Sequence, residues 1–181
     1  MSSRTREEWL ESAASLVSAI FPEQTKLPPL KLSVGWPKGS RKAIGQCWHP
    51  QHSKDAETVA VFVSPVVEEP LQVLVTLAHE LCHAVTGVSG HGKAFQHMAG
   101  RIGLLPPWTA TPASEGLLEV LRPMLDVLGP YPHVQLSMAQ RKKQATRYKL
   151  WQCACGVKVR RAGTLNATCN DCGKPFMKES A

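Results

Sequence analysis

Pro70-Leu-Gln-Val-Leu-Val-Thr-Leu-Ala-His79-Glu80-Leu-Cys-His83-Ala-Val-Thr86 is the stretch whose reading decides the fold. It is mostly apolar and has no internal breaker. Glu68 and Glu69 stand before it, where a helix N-terminus favours negative charge, Pro70 suits the first turn, and Gly87 suits the stop. A buried helix from Pro70 to about Thr86 follows. Inside it lies the pattern H-E-x-x-H. Positions i and i+4 lie one above the other on a helix face, so the His79 and His83 imidazoles converge on one metal, and Glu80 projects beside them near a metal-bound water.

A catalytic zinc needs a third protein ligand and one open position. The metzincin pattern fails, because it needs Gly at position 86 and His at position 89, which hold Thr86 and Ser89. A glutamate from a later helix, Glu115 or Glu119, can serve. His91 is the better candidate, because Gly87, Gly90 and Gly92 allow a tight reversal that returns the chain to the metal. His97 lies six residues on, about 240° around a helix, and so is read as structural. His49, His52 and His133 fall in loops, where solvent exposure is the default. Ser89 lacks the second glycine of a nucleophile elbow, which removes hydrolase-type serine chemistry.

His79-Glu-Leu-Cys-His83-Ala84 followed by Gly90-His91-Gly92-x-x-Phe95 resembles the SprT-like metalloprotease family, represented by SprT and Spartan. The resemblance implies that His91 is the third zinc ligand, and that a helix, three strands and an active-site helix come in that order. The interval from His83 to His91 is shorter than in the animal members, so the connecting loop differs.

Upstream, Thr5-Arg-Glu-Glu8 fits a capping box, and Leu10, Ala13, Ala14, Val17, Ile20 and Phe21 recur at helical spacing, predicting a helix over 6–21. Leu30, Leu32, Val34 and Trp36 alternate with Lys31, Ser33 and Gly35, as a half-buried strand requires. After a turn at 37–40, segments 43–48 and 58–64 read as two more strands. Downstream, helices are expected over 92–102 and 114–128, the second kinked or split by Pro123, with a Pro-rich loop at 104–112. The fold class is therefore α+β: a zincin-like core with an N-terminal helix, a small, mostly antiparallel three-stranded sheet and active-site helices, followed by a small zinc ribbon.

The ribbon is read from Cys153, Cys155, Cys169 and Cys172, four thiols in two pairs. The first pair is one residue tighter than the usual C-x-x-C, and bacterial SprT proteins are similar in this respect. Gly156 and Gly173 follow the pairs, where a positive φ folds the backbone under the sulfurs. Two zinc ions per chain are expected, one catalytic and one structural. Cys47 and Cys82 read as buried small hydrophobes.

The net charge of +7 sits at one end. Residues 139–181 carry ten Lys/Arg against Asp171 and Glu179, a net +8, whereas residues 1–138 carry eleven against twelve, a net −1. A domain boundary is placed between 138 and 139, separating a protease domain from a basic linker and zinc ribbon. Lys142, Lys143, Arg147, Lys149, Lys158, Arg160 and Arg161, interleaved with Tyr148 and Trp151, make this end a candidate surface for single-stranded or distorted DNA. Spartan-like proteases similarly bind DNA through a zinc-containing module.

With 43% hydrophobic residues the composition is globular rather than disordered. The N-terminus lacks a secretory pattern, and no apolar run approaches the roughly 18 residues needed to span a bilayer. The expectation is a cytoplasmic, nucleoid-associated monomer without membrane contact. It would be an endopeptidase acting on DNA-bound or DNA-crosslinked proteins. The alternatives are a non-catalytic, transcription-associated DNA-binding protein and a general cytosolic peptidase.

Overall fold

The computed structural model describes residues 4–36, 43–137 and 148–179. The expected turn at 37–40, with Lys38, Arg41 and Lys42, and the basic residues Lys142, Lys143 and Arg147 lie outside the described residues. The chain is α+β and divides into two compact units, Met1–Met138 and Ala139–Ala181.

In the first unit, α1 (Arg6–Ser18) opens on the capping box read from the sequence: Glu8 N–H donates to Thr5 Oγ1 at 3.2 Å, and Thr5 N–H donates to Glu8 Oε2 at 2.7 Å. The helix ends three residues earlier than its apolar spacing suggests and runs into turns, as helix ends commonly do. Trp9, Leu10, Ala13, Ala14 and Val17 form its buried face.

Strands β1 (Leu30–Val34), β2 (Gly45–Trp48) and β3 (Val59–Val63) form a sheet in the order β1-β3-β2. The sheet is mixed rather than mostly antiparallel. β2 pairs antiparallel to β3, but β1 pairs parallel to β3, with Leu30 opposite Val59 and Val34 opposite Val63. Both connections reverse the chain, so β1 and β3 point the same way. β3 takes the centre because Val59, Val61 and Val63 are almost wholly buried, each worth about 1.5–3 kcal/mol of apolar burial.

Helix α2 (Pro70–Thr86) is the hub, touching α1, β2, β3, α3 (Lys93–Arg101) and α4 (Glu115–Leu128). The Glu69 carboxylate caps it, accepting from Leu71 N–H and Gln72 N–H, and Gly87 closes it at φ 68°. Of the kink or split expected at Pro123, the split does not occur: α4 runs unbroken from Glu115 to Leu128. Pro123 and Glu119, whose carbonyl loses its partner, are both exposed, so water can satisfy the freed group.

Two loop histidines depart from expectation. His133 is half-buried: its Nε2 lies 2.9 Å from the Pro65 carbonyl in a strap where Leu136 N–H also bonds Pro65 O, Gln135 bonds Val66 O and Trp9 Nε1 donates to Gly129 O. His49, just after β2, is only 3% exposed, because the 49–58 loop folds back through Ser53 and Asp55 bonds to Thr58. His52 is exposed. Among the described residues no helix is long and apolar enough to cross a membrane.

In the second unit, β4 (Tyr148–Gln152), β5 (Lys158–Ala162) and β6 (Met177–Lys178) form a three-stranded antiparallel sheet in the order β5-β4-β6.

Candidate metal centre

His79 and His83 project from one face of α2, and the reversal after Thr86 brings His91 to them. Of the three glycines expected to make that reversal, only Gly87 takes a left-handed conformation. His91 precedes Gly92, the N-cap of α3, and Gln96 Nε2 holds the His91 carbonyl at 2.7 Å. Phe95, fully buried, stacks on His83 at 4.4 Å between ring centres and meets the edge of His91 at 4.7 Å, forming the floor under the cluster.

The Nε2 atoms of His83 and His91 each lie 3.2 Å from His79 Nε2. His83 Nδ1 lies 2.7 Å from the Val88 carbonyl, which can only accept, so Nδ1 carries the proton and Nε2 presents its lone pair. Lone pairs converging this closely repel unless a cation lies among them. Four-coordinate zinc with bonds of 2.0–2.1 Å sets its nitrogens about 3.3 Å apart, so the donor set fits zinc. Burial, then the neighbouring His83 and His91, lowers the His79 pKa to about 3. Burial likewise lowers His83 to about 4, against the raising effect of its bond to Val88. The His79 and His83 imidazoles are thus neutral at pH 7, the form that can bind a metal.

Glu80 is 4% exposed, and burial pushes its carboxyl up to about 8. It packs against Gly45 of β2: a side-chain carbon there would come within 2.9 Å of Glu80 Cδ and 2.7 Å of Thr76 Cγ2. The three histidines and Glu80 open into a cavity of about 720 Å³, walled by Ile44, Trp48, Val75 and Thr111 among others. Glu115 and Glu119 stand apart on the exposed side of α4, with Glu115 paired to Arg122 at 2.7 Å, and neither joins a metal-binding cluster among the described residues. His97 is exposed on α3 and lies outside the cluster too.

Two participants escape a reading of the sequence. Gly45 gave a faint signal, since an isolated glycine in a strand often marks a close approach. Thr111, whose Oγ1 lies 2.5 Å from His79 Nδ1, gave none.

In the second unit the sulfurs of Cys153, Cys155, Cys169 and Cys172 lie within 4.8 Å of one another. Gly156 and Gly173 adopt φ 93° and 66°, the conformations expected beneath such sulfurs. The Cys155 and Cys169 sulfurs are 3.6 Å apart, near the roughly 3.8 Å of a tetrahedral zinc–thiolate site. Cys153 and Cys155, at 2.7 Å, would spread on binding metal. Trp151, placed by the sequence in the candidate DNA surface, is instead 8% exposed and fills the small core, with its Nε1 buried and unpartnered among the described residues. Tyr148 is the exposed aromatic ring, at 60%.

The histidine shifts carry a testable sign. Their folded pKa values lie below the ordinary 6.5, so the stability they contribute is present above pH 6.5 and is lost as pH falls toward 4. The raised Glu80 carboxyl acts oppositely, its contribution being present below about 4.5 and lost as pH rises through 8. In metal-stripped Glu80→Gln protein, which lacks that offset, the melting temperature should fall by about 5 °C or more between pH 7 and pH 4.5. Equal melting temperatures would mean the imidazoles are not held neutral by burial.

The SprT-like family model matches residues 11–114, more than half the chain. The germ cell nuclear acidic-1 protein of Caenorhabditis elegans is 40% identical over 93 residues, spanning 48% of this chain and 16% of that protein. The chain thus matches only a small part of that relative's length. No solved structure matches significantly.

Proposed function

The chain belongs to the SprT-like family, and on that premise we propose that it is a zinc-dependent endopeptidase that acts on proteins bound or crosslinked to DNA, with DNA held by the C-terminal unit. The observation that carries the reading is the convergence of three neutral imidazole nitrogens beside one buried carboxylate in an open cavity. Zinc bound there supplies Lewis acidity, acidifying a water and polarising a peptide carbonyl. Glu80, beside the three imidazoles, would take a proton from the attacking water and return it to the leaving amine. A purely structural metal site has no use for this carboxylate.

Among the described residues β2 pairs with β3 on one side only, and its residues line the cavity along their length. An extended peptide added to its outer edge would run past Glu80 and the histidines. Apart from Glu80, no Asp, Glu, Lys or Arg among the described residues lines the cavity, which favours uncharged side chains near the scissile bond.

For DNA, the β4–β5 register places Tyr148, Lys158 and Arg160 on one face of the second sheet, and Lys149 and Arg161 on the other with Trp151. Tyr148 replaces Trp151 as the stacking ring, a contact worth about 1–3 kcal/mol per base. The protein would then be nucleoid-associated in the cytoplasm.

The test is cleavage of a DNA-binding protein with and without single-stranded DNA, alongside DNA affinity across salt concentrations. DNA should stimulate cleavage. The triple variant Lys158→Gln, Arg160→Gln, Arg161→Gln should lose that stimulation and flatten the salt dependence by about 0.7 per lost phosphate contact. Unchanged affinity in the triple variant would move the DNA site elsewhere, with Lys38, Arg41 and Lys42 as the next candidates.

A further inference from the structure

We propose that Thr111 is a positioning residue of the metal centre, its hydroxyl fixing the tautomer and ring orientation of His79 while the 103–114 loop is folded to hold it there. The inference rests on the reading of His79, His83 and His91 as metal ligands. His79 Nδ1 lies 2.5 Å from Thr111 Oγ1, and Thr111 is only 3% exposed. With Nδ1–H donating to that oxygen, His79 must turn the lone pair of Nε2 toward His83 and His91.

The backbone supports the assignment independently of the bond. Thr111 adopts φ 36°, a region that a β-branched residue enters only at a cost in free energy. Ala56 is the other non-glycine residue at positive φ among those described, and it sits in an exposed loop. The strain at Thr111 is held from both sides. Ser114 N–H bonds Gly103 O at 2.8 Å, Leu104 bridges Ala113, Leu105 N–H bonds Pro112 O at 2.8 Å, and Thr111 N–H bonds Pro107 O at 2.8 Å. A clamped loop with its one strained residue buried against a ligand ring is how a fold stores strain at a working site.

The chemistry of the partner is also specific. A hydroxyl orients the imidazole without adding negative charge behind it, whereas a carboxylate would make the ligand more basic and dampen the metal's charge. His83 is treated alike, by the neutral Val88 carbonyl.

The test uses the full chain loaded with zinc and, separately, with cobalt(II) as a spectroscopic probe. Thr111→Val keeps the shape and the branch but removes the hydroxyl. It should weaken zinc retention at the histidine site by about 10–100-fold against a chelator, leave the four-cysteine zinc unchanged as an internal control, and shift the visible cobalt bands. Thr111→Ser, which restores the oxygen, should return both readouts to wild type. If the valine variant does not fold, Thr111→Gly, which adopts φ 36° without strain, is expected to show the same selective loss. Wild-type zinc retention and an unchanged cobalt spectrum in the folded variant lacking the hydroxyl would overturn the role of Thr111 while leaving the metal centre intact. A wild type that binds no metal at the histidines would instead overturn the metal reading itself, and this proposal with it.

Discussion

Glu80→Gln is expected to retain zinc at both sites and to cleave its protein substrate about 10²–10⁴-fold more slowly than the wild type. The substitution keeps size and shape, which matters because the side chain is 4% exposed and wedged against Gly45. What it removes is the ability to accept a proton. Each candidate ligand is oriented by a group other than Glu80: His83 by the Val88 carbonyl, His79 by Thr111, and His91 through its carbonyl by Gln96. DNA affinity should not move, because the basic excess lies at the other end of the chain. Metal content by elemental analysis and turnover on a DNA-bound protein decide the matter together. Turnover within a few-fold of wild type, at full zinc occupancy, would remove Glu80 from the chemistry.

The second large effect comes from a residue with no functional group. Gly45→Ala should lower turnover by about 10²-fold with zinc occupancy unchanged. The added methyl would come within 2.9 Å of Glu80 Cδ and 2.7 Å of Thr76 Cγ2, so either the carboxylate or strand β2 has to move. Thr76 cannot easily give way, because its hydroxyl is bonded to the Gln72 carbonyl at 2.8 Å on the same helix. A misplacement of about 1 Å in a proton-transferring group can cost that much in rate. The double variant is the sharper test. If Gly45 acts through Glu80, adding Gly45→Ala to Glu80→Gln should cost little more, so the two effects should be strongly non-additive. Additive losses would mean that the methyl disturbs peptide binding along β2 instead.

Much of this was legible in the sequence where local rules decide. The limits of α2 follow from Glu69, Pro70 and Gly87, and the spacing of His79, Glu80 and His83 follows from the helical period. The positive φ at Gly156 and Gly173 follows from the sulfur pairs they serve. What was not legible depends on partners far along the chain. The direction of β1 relative to β3 is set by which strand takes the middle of the sheet, and periodicity is silent about that. Trp151 reads as a stacking platform beside basic residues, yet a unit with so little apolar surface needs that ring for its own core. Thr111 is an ordinary residue in a Pro-rich loop until the fold brings it against His79, 32 positions away.

Cys82, buried as its sequence reading expects, and Cys47, only half-buried where burial was expected, give the molecule built-in reporters of its own integrity. Burial, followed by the charge of Glu80, pushes both thiols up to about 12, so neither forms much thiolate while the first unit is intact. Cys82 is fully enclosed on α2 behind the histidines, whereas Cys47 lines the cavity. An alkylating reagent would therefore reach Cys82 only through opening of the core, and Cys47 earlier, from the cavity. The remaining thiols belong to the four-cysteine cluster and would be shielded by zinc rather than by packing. The order in which the six sulfurs are labelled would separate exposure of the four-cysteine cluster, access to the cavity and global unfolding in a single time course.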